Sequence, residues 1–230
     1  MKIDMHTHCL PVSRCACHDP EQLPAFFMEA GIGAIVLTNH CYPYHCENLS
    51  PDPSEQVRIY LDIYRRCRDK GEELGFRVFF GAEIRLMREP NMPEFLLYGL
   101  SEQDFVETYP LYNCTQKELF DFCNEKDILM VQAHPFRTEQ GHAPADMRYV
   151  HGIEVYNPHP SFDSRISDGV RLAKENGMIM TSGSDFHVNG QAGGAGMILP
   201  DTILDQFMLR DFLRTGEPVI FNRDGVLTLA

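Results

Sequence analysis

The chain has 230 residues, of which 43% are hydrophobic, enough to bury a full core as a single domain spanning residues 1–230. Its formal net charge of −13 argues against a broad basic face for nonspecific binding along duplex nucleic acid, though small anionic substrates stay open if metal ions supply positive charge. No basic-then-apolar leader opens the sequence and no apolar run approaches the ~20 residues that span a bilayer, so the expected protein is soluble, cytoplasmic and not membrane-bound.

The first strand candidate is Lys2–Met5. A helix should open at Asp19-Pro20, with the carboxylate as N-cap and proline at the first helical position, and close near Gly31. The strand Ala34–Thr38 follows, and Asp52-Pro53 repeats the same opening for a helix running to about Gly75. Two strand candidates come next, Arg77–Ala82 and Phe95–Gly99. Thr115 and Glu118 have capping-box spacing ahead of Leu119, Phe120 and Phe122, which predicts a third helix. The strands Ile128–Ala133 and Ile153–Tyr156, a helix from Ser161 to Gly177, the strand Met178–Ser182 and a helix from Thr202 to Thr215 complete the order. Strands alternating with helices predict a mostly parallel sheet that closes into a barrel, with an open doubly wound sheet as the alternative.

Histidines and acids fall at the C-terminal ends of these strands. Asp4-Met5-His6-Thr7-His8 follows the first, Asn39-His40 the second, Glu83 the third, His134 the fifth and Asp185-Phe186-His187 the last. A parallel barrel opens its strand-to-helix loops on that one face, so groups scattered along the sequence would converge there. His6 and His8 are two apart, so an extended backbone sends both from one face, and Asp185 and His187 repeat the spacing. Glu83 could bridge two ions, since each carboxylate oxygen can bind a different metal, and a centre of two or three divalent ions is the expectation.

Eight cysteines in a chain of this kind are expected to be reduced thiols. Cys9, Cys15, Cys17, Cys41 and Cys46 cluster early, near His18, His40 and His45, and zinc accepts mixed sulfur and imidazole ligands. Their spacings match no zinc-finger pattern, so a separate thiolate site is not the expectation. Arg137, three residues past His134, and Arg85, two past Glu83, are candidates to fork onto phosphate oxygens or to pair with an acid. Tyr42, Tyr44, His45, Tyr156, Asn157 and His159 fall in loops on the same face and are candidates for substrate contact. The glycine-rich stretch Gly190 to Gly196 lacks the lysine and preceding strand of a P-loop and reads as a flexible loop beside the site.

Asp-Met-His-Thr-His, Thr-Asn-His, Gly-Ala-Glu, Ala-His-Pro and Gly-Ser-Asp-Phe-His, in this order from Met1 to about Gly196, resemble the motifs of the PHP (polymerase and histidinol phosphatase) superfamily. The resemblance implies a distorted TIM-like (β/α)7 barrel with up to three zinc, manganese or iron ions. It implies that His6, His8, Glu83 and Asp185 hold the first ion, Glu83 and His134 the second, and His40 and His187 the third. Two positions depart from the family pattern. Where members carry a histidine or acid soon after the first motif, this chain offers Cys15 or His18, with His18 slightly preferred; where they carry a histidine before the next strand, it offers Glu94.

The function implied is hydrolysis of a phosphate ester by water activated at the ions, with His187 or His40 assisting proton transfer and Arg137 holding phosphate. A small phosphorylated metabolite, a nucleotide or a phosphotyrosine would be the substrate. The alternatives are an exonuclease acting on short nucleic acid ends and a barrel that keeps metal without turnover. The sequence carries no feature that fixes an oligomeric state.

Overall fold

The computed structural model describes residues 1–137, 141–158, 162–217 and 219–227. Each strand foreseen from the sequence forms, with small shifts of its ends: β1 (Lys2–Thr7), β2 (Ala34–Leu37), β4 (Arg77–Arg85), β5 (Glu94–Tyr98), β6 (Leu129–Gln132), β7 (Gly152–Tyr156) and β8 (Ile179–Ser182). A short β3 (His40–Cys41) and three late strands, β9 (Ala195–Ile198), β10 (Ile220–Asn222) and β11 (Gly225–Leu227), were not foreseen. β9 claims the end of the glycine-rich stretch that the sequence suggested as loop. It pairs antiparallel with β1, and a Cβ on Gly196 would lie 2.1 Å from the Ile3 carbonyl oxygen, so only glycine admits that close approach.

The helices follow their caps. The Asp19-Pro20 opening gives a 3-10 turn at Pro20–Gln22 that leads into α1 (Leu23–Glu29). A four-residue α2 (Pro43–Cys46) precedes α3 (Pro53–Leu74), whose N-cap Asp52 accepts from Ser54 N at 3.0 Å and whose C-cap is left-handed Gly75 at φ 74°. After α4 (Glu102–Thr108), α5 (Gln116–Glu125) has the expected capping box: Thr115 N donates to Glu118 Oε2 at 2.8 Å and Glu118 N to Thr115 Oγ1 at 3.3 Å. α6 (Ile166–Asn176) starts later than expected, and α7 (Gln206–Thr215) is capped by Asp205 rather than opening at Thr202.

One sheet runs in the order β11-β10-β9-β1-β2-β4-β5-β6-β7-β8, with β3 attached to β4. It curls until Phe186, just past β8, forms an isolated bridge with Thr7, giving a half-barrel rather than a closed ladder. The sheet is not mostly parallel. β5 runs antiparallel to both β4 and β6, and β9, β10 and β11 add three more antiparallel pairings to the parallel ones of β1, β2, β4, β6, β7 and β8. The connection from β4 to β5 contains no α-helix and is too short for a parallel crossover, which needs about a dozen residues or more, so the chain returns antiparallel. The regular strand-helix repeat is interrupted there.

That reversal positions a ligand candidate. Arg85 pairs with Glu94 and Glu83 with Leu96, so the N-terminal start of β5 lies beside the C-terminal end of β4. Period two then places Glu94 on the same face as Leu96 and Tyr98, and Glu83 on the same face as Phe79. Phe79, Leu96 and Tyr98 belong to an apolar cluster with Ile3, Met5, Val36, Leu209 and Leu213, which closes one end of the curled sheet with α7. The carboxylates sit at the other end of the same face. The outer face packs on the helices through Phe27, Tyr60, Tyr64, Phe80 and Phe105, whose rings meet edge-on or tilted. Among the described residues no helix is long and apolar enough to cross a membrane.

Away from the strand ends, His151 accepts from Met130 N at 3.0 Å through Nδ1 and donates from Nε2 to Asn124 Oδ1 at 3.2 Å, so the neutral ring is the bonded form. Burial, helped by nearby Arg214, lowers its pKa to about 4. In the unfolded chain the ring titrates near ~6.5, so the unfolded state takes up the proton first as pH falls. The stability contributed by His151 is therefore present above that value and lost toward pH ~4. Urea midpoints measured across this range should fall less steeply for His151→Asn than for the wild type; equal slopes would reject this account.

Candidate metal centre

At the open end of the half-barrel, β1 delivers His6 and the segment after it delivers His8, β3 His40, β4 Glu83, the turn after β6 His134, and the segment after β8 Asp185 and His187. Glu83 has no exposure and lies among three imidazoles: its Oε1 is 3.2 Å from His6 Nε2 and 3.2 Å from His134 Nε2, and its Oε2 is 2.5 Å from His40 Nδ1. Asp185 Oδ1 is 3.1 Å from His8 Nε2 and 3.4 Å from His6 Nε2. His6, Glu83 and His134 form one set of converging ligand atoms, and His6, His8 and Asp185 a second. His8, His40 and His187 form a third, each set lying within 4.8 Å of itself. Glu94, His134 and His142 make a further set.

These residues fit a group of divalent cations. Despite the short separations, His6 Nε2, His8 Nε2, Glu83 Oε2 and Asp185 Oδ1 are buried without a well-aligned hydrogen bond, as ligand atoms that face a common cation would be. An unsatisfied buried polar atom costs ~1–3 kcal/mol, so several in one place need a compensating partner. Imidazole nitrogens with carboxylate oxygens are the donor set of zinc, manganese and iron.

Surrounding groups fix which ring nitrogen faces the centre. His6 Nδ1 donates to Glu154 Oε1 at 3.0 Å, which leaves Nε2 as the lone-pair atom. Ser13 Oγ donates to Asn39 Oδ1 at 2.9 Å, so His8 Nδ1 donates to Ser13 Oγ at 3.1 Å and its Nε2 is likewise left free. His187 Nδ1 donates to the Asp185 carbonyl at 2.8 Å. Glu154 Oε2 also accepts from His134 N at 3.0 Å, so one buried carboxylate braces two of the candidate ligands. Asp4 Oδ1 accepts from His6 N at 3.1 Å and Ser184 N at 2.9 Å, joining the first and last motifs; burial pushes its carboxyl up to about 7 against those bonds. His134 and Asp185 take φ of 27° and 53°, a left-handed region that side-chain-bearing residues rarely adopt and that concentrates at functional sites.

The charges are strongly coupled. Burial works against the ionised form of Glu83, but the rings of His6 and His40 outweigh it and hold the carboxyl well below its ordinary value. Asp185 is held well below its own in the same way, by His6 and Arg137 against burial. His6 is raised well above the usual imidazole range, since Glu154, Asp185 and Glu83 overcome burial, whereas His8 is lowered by burial and by its neighbours His40 and His187.

The remaining candidates divide. Arg137 is buried, and it donates to Asp185 Oδ2 at 2.7 Å and to Asn157 Oδ1, so it braces a ligand and is not free at the rim to fork onto phosphate. Arg85 is likewise paired, with Glu94 at 2.6 Å, and lies over the Tyr42 ring. His18 packs its ring on Phe26 and Phe186, while Cys15, not His18, comes beside His40 and His45. Burial opposes ionisation of the Cys15 thiol, but hydrogen bonds with His187, His40 and His45 outweigh it and bring its pKa down to about 4. All eight cysteines are unpaired. Tyr44 is exposed, with Arg14 over its ring, and Tyr156 lines an open groove with Gln191, Asn222 and Arg223. His159 lies outside the described residues. The sequence did not single out His142, Glu154 or Ser13; Glu154 stood as an acid within the apolar run Ile153-Glu154-Val155, which was a signal.

No family model matches the chain, and no curated protein matches it. Solved structures do. Superposition on PsfC from Pseudomonas syringae covers 96% of this chain and 91% of that one, with a TM-score of 0.68 at 18% identity. A two-domain protein from Bacteroides vulgatus containing a predicted PHP-like metal-dependent phosphoesterase gives 0.59 at 20% identity, over 96% of this chain and 57% of that one. The lesion-specific endonuclease EndoQ from Pyrococcus furiosus gives 0.61 at 15% identity, over 95% and 57%. The chain thus spans little more than half the length of the last two. The fold of this chain is shared with these structures.

Close packing of the first and last motifs yields a prediction. A Cβ on Gly183 would lie 2.4 Å from His6 Cβ and 2.5 Å from His6 N, whereas one on Gly33 would meet nothing closer than 3.4 Å. Gly183→Ala should displace His6 and lower bound metal per chain, measured by elemental analysis after dialysis against fixed free zinc, while Gly33→Ala should not. Removing the carboxylate behind His6 with Glu154→Gln should weaken ion affinity about 10- to 100-fold. Unchanged affinity would mean that Glu154 does not tune the centre.

Proposed function

We propose that this chain is a metal-dependent hydrolase of phosphate esters, acting on a small phosphorylated compound. The observation that carries it is the convergence of buried, unbonded ligand atoms from His6, His8, Glu83 and Asp185 at the open end of the half-barrel. His6, His8, Glu83 and Asp185 would hold one divalent ion, Glu83 and His134 with Glu94 a second, and His40 with His187 a third. When bound, such ions lower the pKa of water toward neutrality and offset the charge that develops on phosphoryl oxygens.

The chain's own groups set up the rest. Glu83, ionised at neutral pH, offers two oxygens between ring nitrogens of His6, His134 and His40. Arg137 and the ring of His6 keep Asp185 ionised, and Arg137 fixes its orientation by holding Oδ2. His187 and His40 face each other through their Nε2 atoms, 3.4 Å apart, where His187 is partly open to solvent. A proton can be held at that edge and passed to a leaving oxygen by whichever ring is not engaged by an ion. Arg85 and Arg137 are already paired, so recognition of the phosphate falls mainly to the ions.

Cleavage of phosphodiesters in nucleic acid is the second reading. It is favoured by the likeness to endonuclease Q, one structure of which holds a 27-mer duplex with an abasic lesion, and disfavoured here by the net charge of −13. Hydrolysis of p-nitrophenyl phosphate, bis-p-nitrophenyl phosphate and short oligonucleotides separates the two. Monoester turnover should dominate, should vanish on chelation and return with zinc or manganese, and should fall about 100-fold or more in Glu83→Gln and Asp185→Asn. Turnover indifferent to chelation and to both substitutions would sink the proposal.

A further inference from the structure

The outer edge of the centre contains a sulfur that the nitrogen and oxygen ligand sets leave aside. Cys15 lies on an exposed loop after β1, yet the backbone on each side of it is tied down. Arg14 N donates to His45 Nδ1 at 3.0 Å, and Cys17 N donates to the His187 carbonyl at 2.8 Å. Those two bonds hold Cys15 between His45 and His187. Its Sγ and ring nitrogens of His40 and His45 all fall within 4.8 Å of one another. A tetrahedral ion with bonds of about 2.0–2.3 Å needs ligand atoms about 3.5 Å apart, so small side-chain movements would complete the shell. His45 is buried and its Nδ1 accepts that bond from Arg14 N, which leaves Nε2 to donate to Tyr42 Oη at 2.9 Å, so the ring props the loop while Cys15 Sγ reaches His40 and His187.

We propose that Cys15 binds as a thiolate, with His40 and His187, to the outermost divalent ion, making that end of the centre a mixed sulfur and nitrogen site. The proposal rests on the metal-centre reading above and sharpens it. Thiolate favours zinc, cobalt or ferrous iron over manganese or magnesium, so the outer position would select a softer ion than the inner one, whose ligands are imidazole and carboxylate. His45 then belongs with the loop that positions Cys15 and not with substrate contacts.

Cobalt titration of the metal-free full-length chain tests this, because a cobalt–thiolate bond adds a near-ultraviolet charge-transfer band to the visible ligand-field bands. The expected result is that band in the wild type and in Cys17→Ser. In Cys15→Ser the band and one cobalt per chain are lost while the visible bands of the inner ions persist. Visible bands without any charge-transfer band, or a band that survives in Cys15→Ser, would overturn the thiolate ligand and leave the nitrogen and oxygen centre standing. Failure to bind cobalt at all would overturn both.

Discussion

A carboxylate sealed from solvent cannot stay ionised without positive charge near it, and Glu83 is sealed. Taking such a group out of water costs several kcal/mol, and the rings of His6 and His40 outweigh that cost only by bringing positive charge into the same buried space. The arrangement around Glu83 follows from this requirement. His6, His40 and His134 arrive from three different segments, with Glu154 behind His6 and His134 and Ser13 Oγ accepting from His40 N, and both braces are buried in turn. Divalent ions at this position would satisfy the carboxylates and the lone pairs of the rings together.

The shape of the sheet is subordinate to that convergence. β5 reverses direction because its connection from β4 has no room for a crossover helix, and the reversal puts Glu94 beside the end of β4. A regular parallel barrel would have sent that residue to the opposite end. Arg137, expected at the rim, is instead drawn inward by Asp185, since a guanidinium and a carboxylate that share a buried space pair with each other before they pair with solvent.

Much of this could be seen from sequence. The strands at Lys2, Ala34, Arg77, Leu129, Gly152 and Ile179 are short aliphatic runs bounded by clear caps, and the histidines and acids at their ends have no role in packing a core. What the sequence concealed was set by pairing. β9 is a glycine-bearing segment that becomes strand only because β1 has a free edge for it, and α2 and β3 are too short to show a period. His142 stands at no strand end, and only the fold brings it to Glu94 and His134. Cys15 and His18 are both candidates by spacing, His18 slightly preferred, and the fold separates them: Arg14 and Cys17 anchor the loop on each side of Cys15, and His18 packs on the rings of Phe26 and Phe186.

The bond from Ser184 N to Asp4 Oδ1 spans 180 residues, and the two ends it joins carry His6 and His8 on one side and Asp185 on the other. Contacts of such sequence separation form late in folding, after the loops between them have closed. Until then His6 and His8 are a bare pair, able to pick up an ion loosely but unable to enclose it. An ion bound at this centre would join its own capture to completion of the fold, so that metal availability would act on how many molecules reach the native state as well as on how they work.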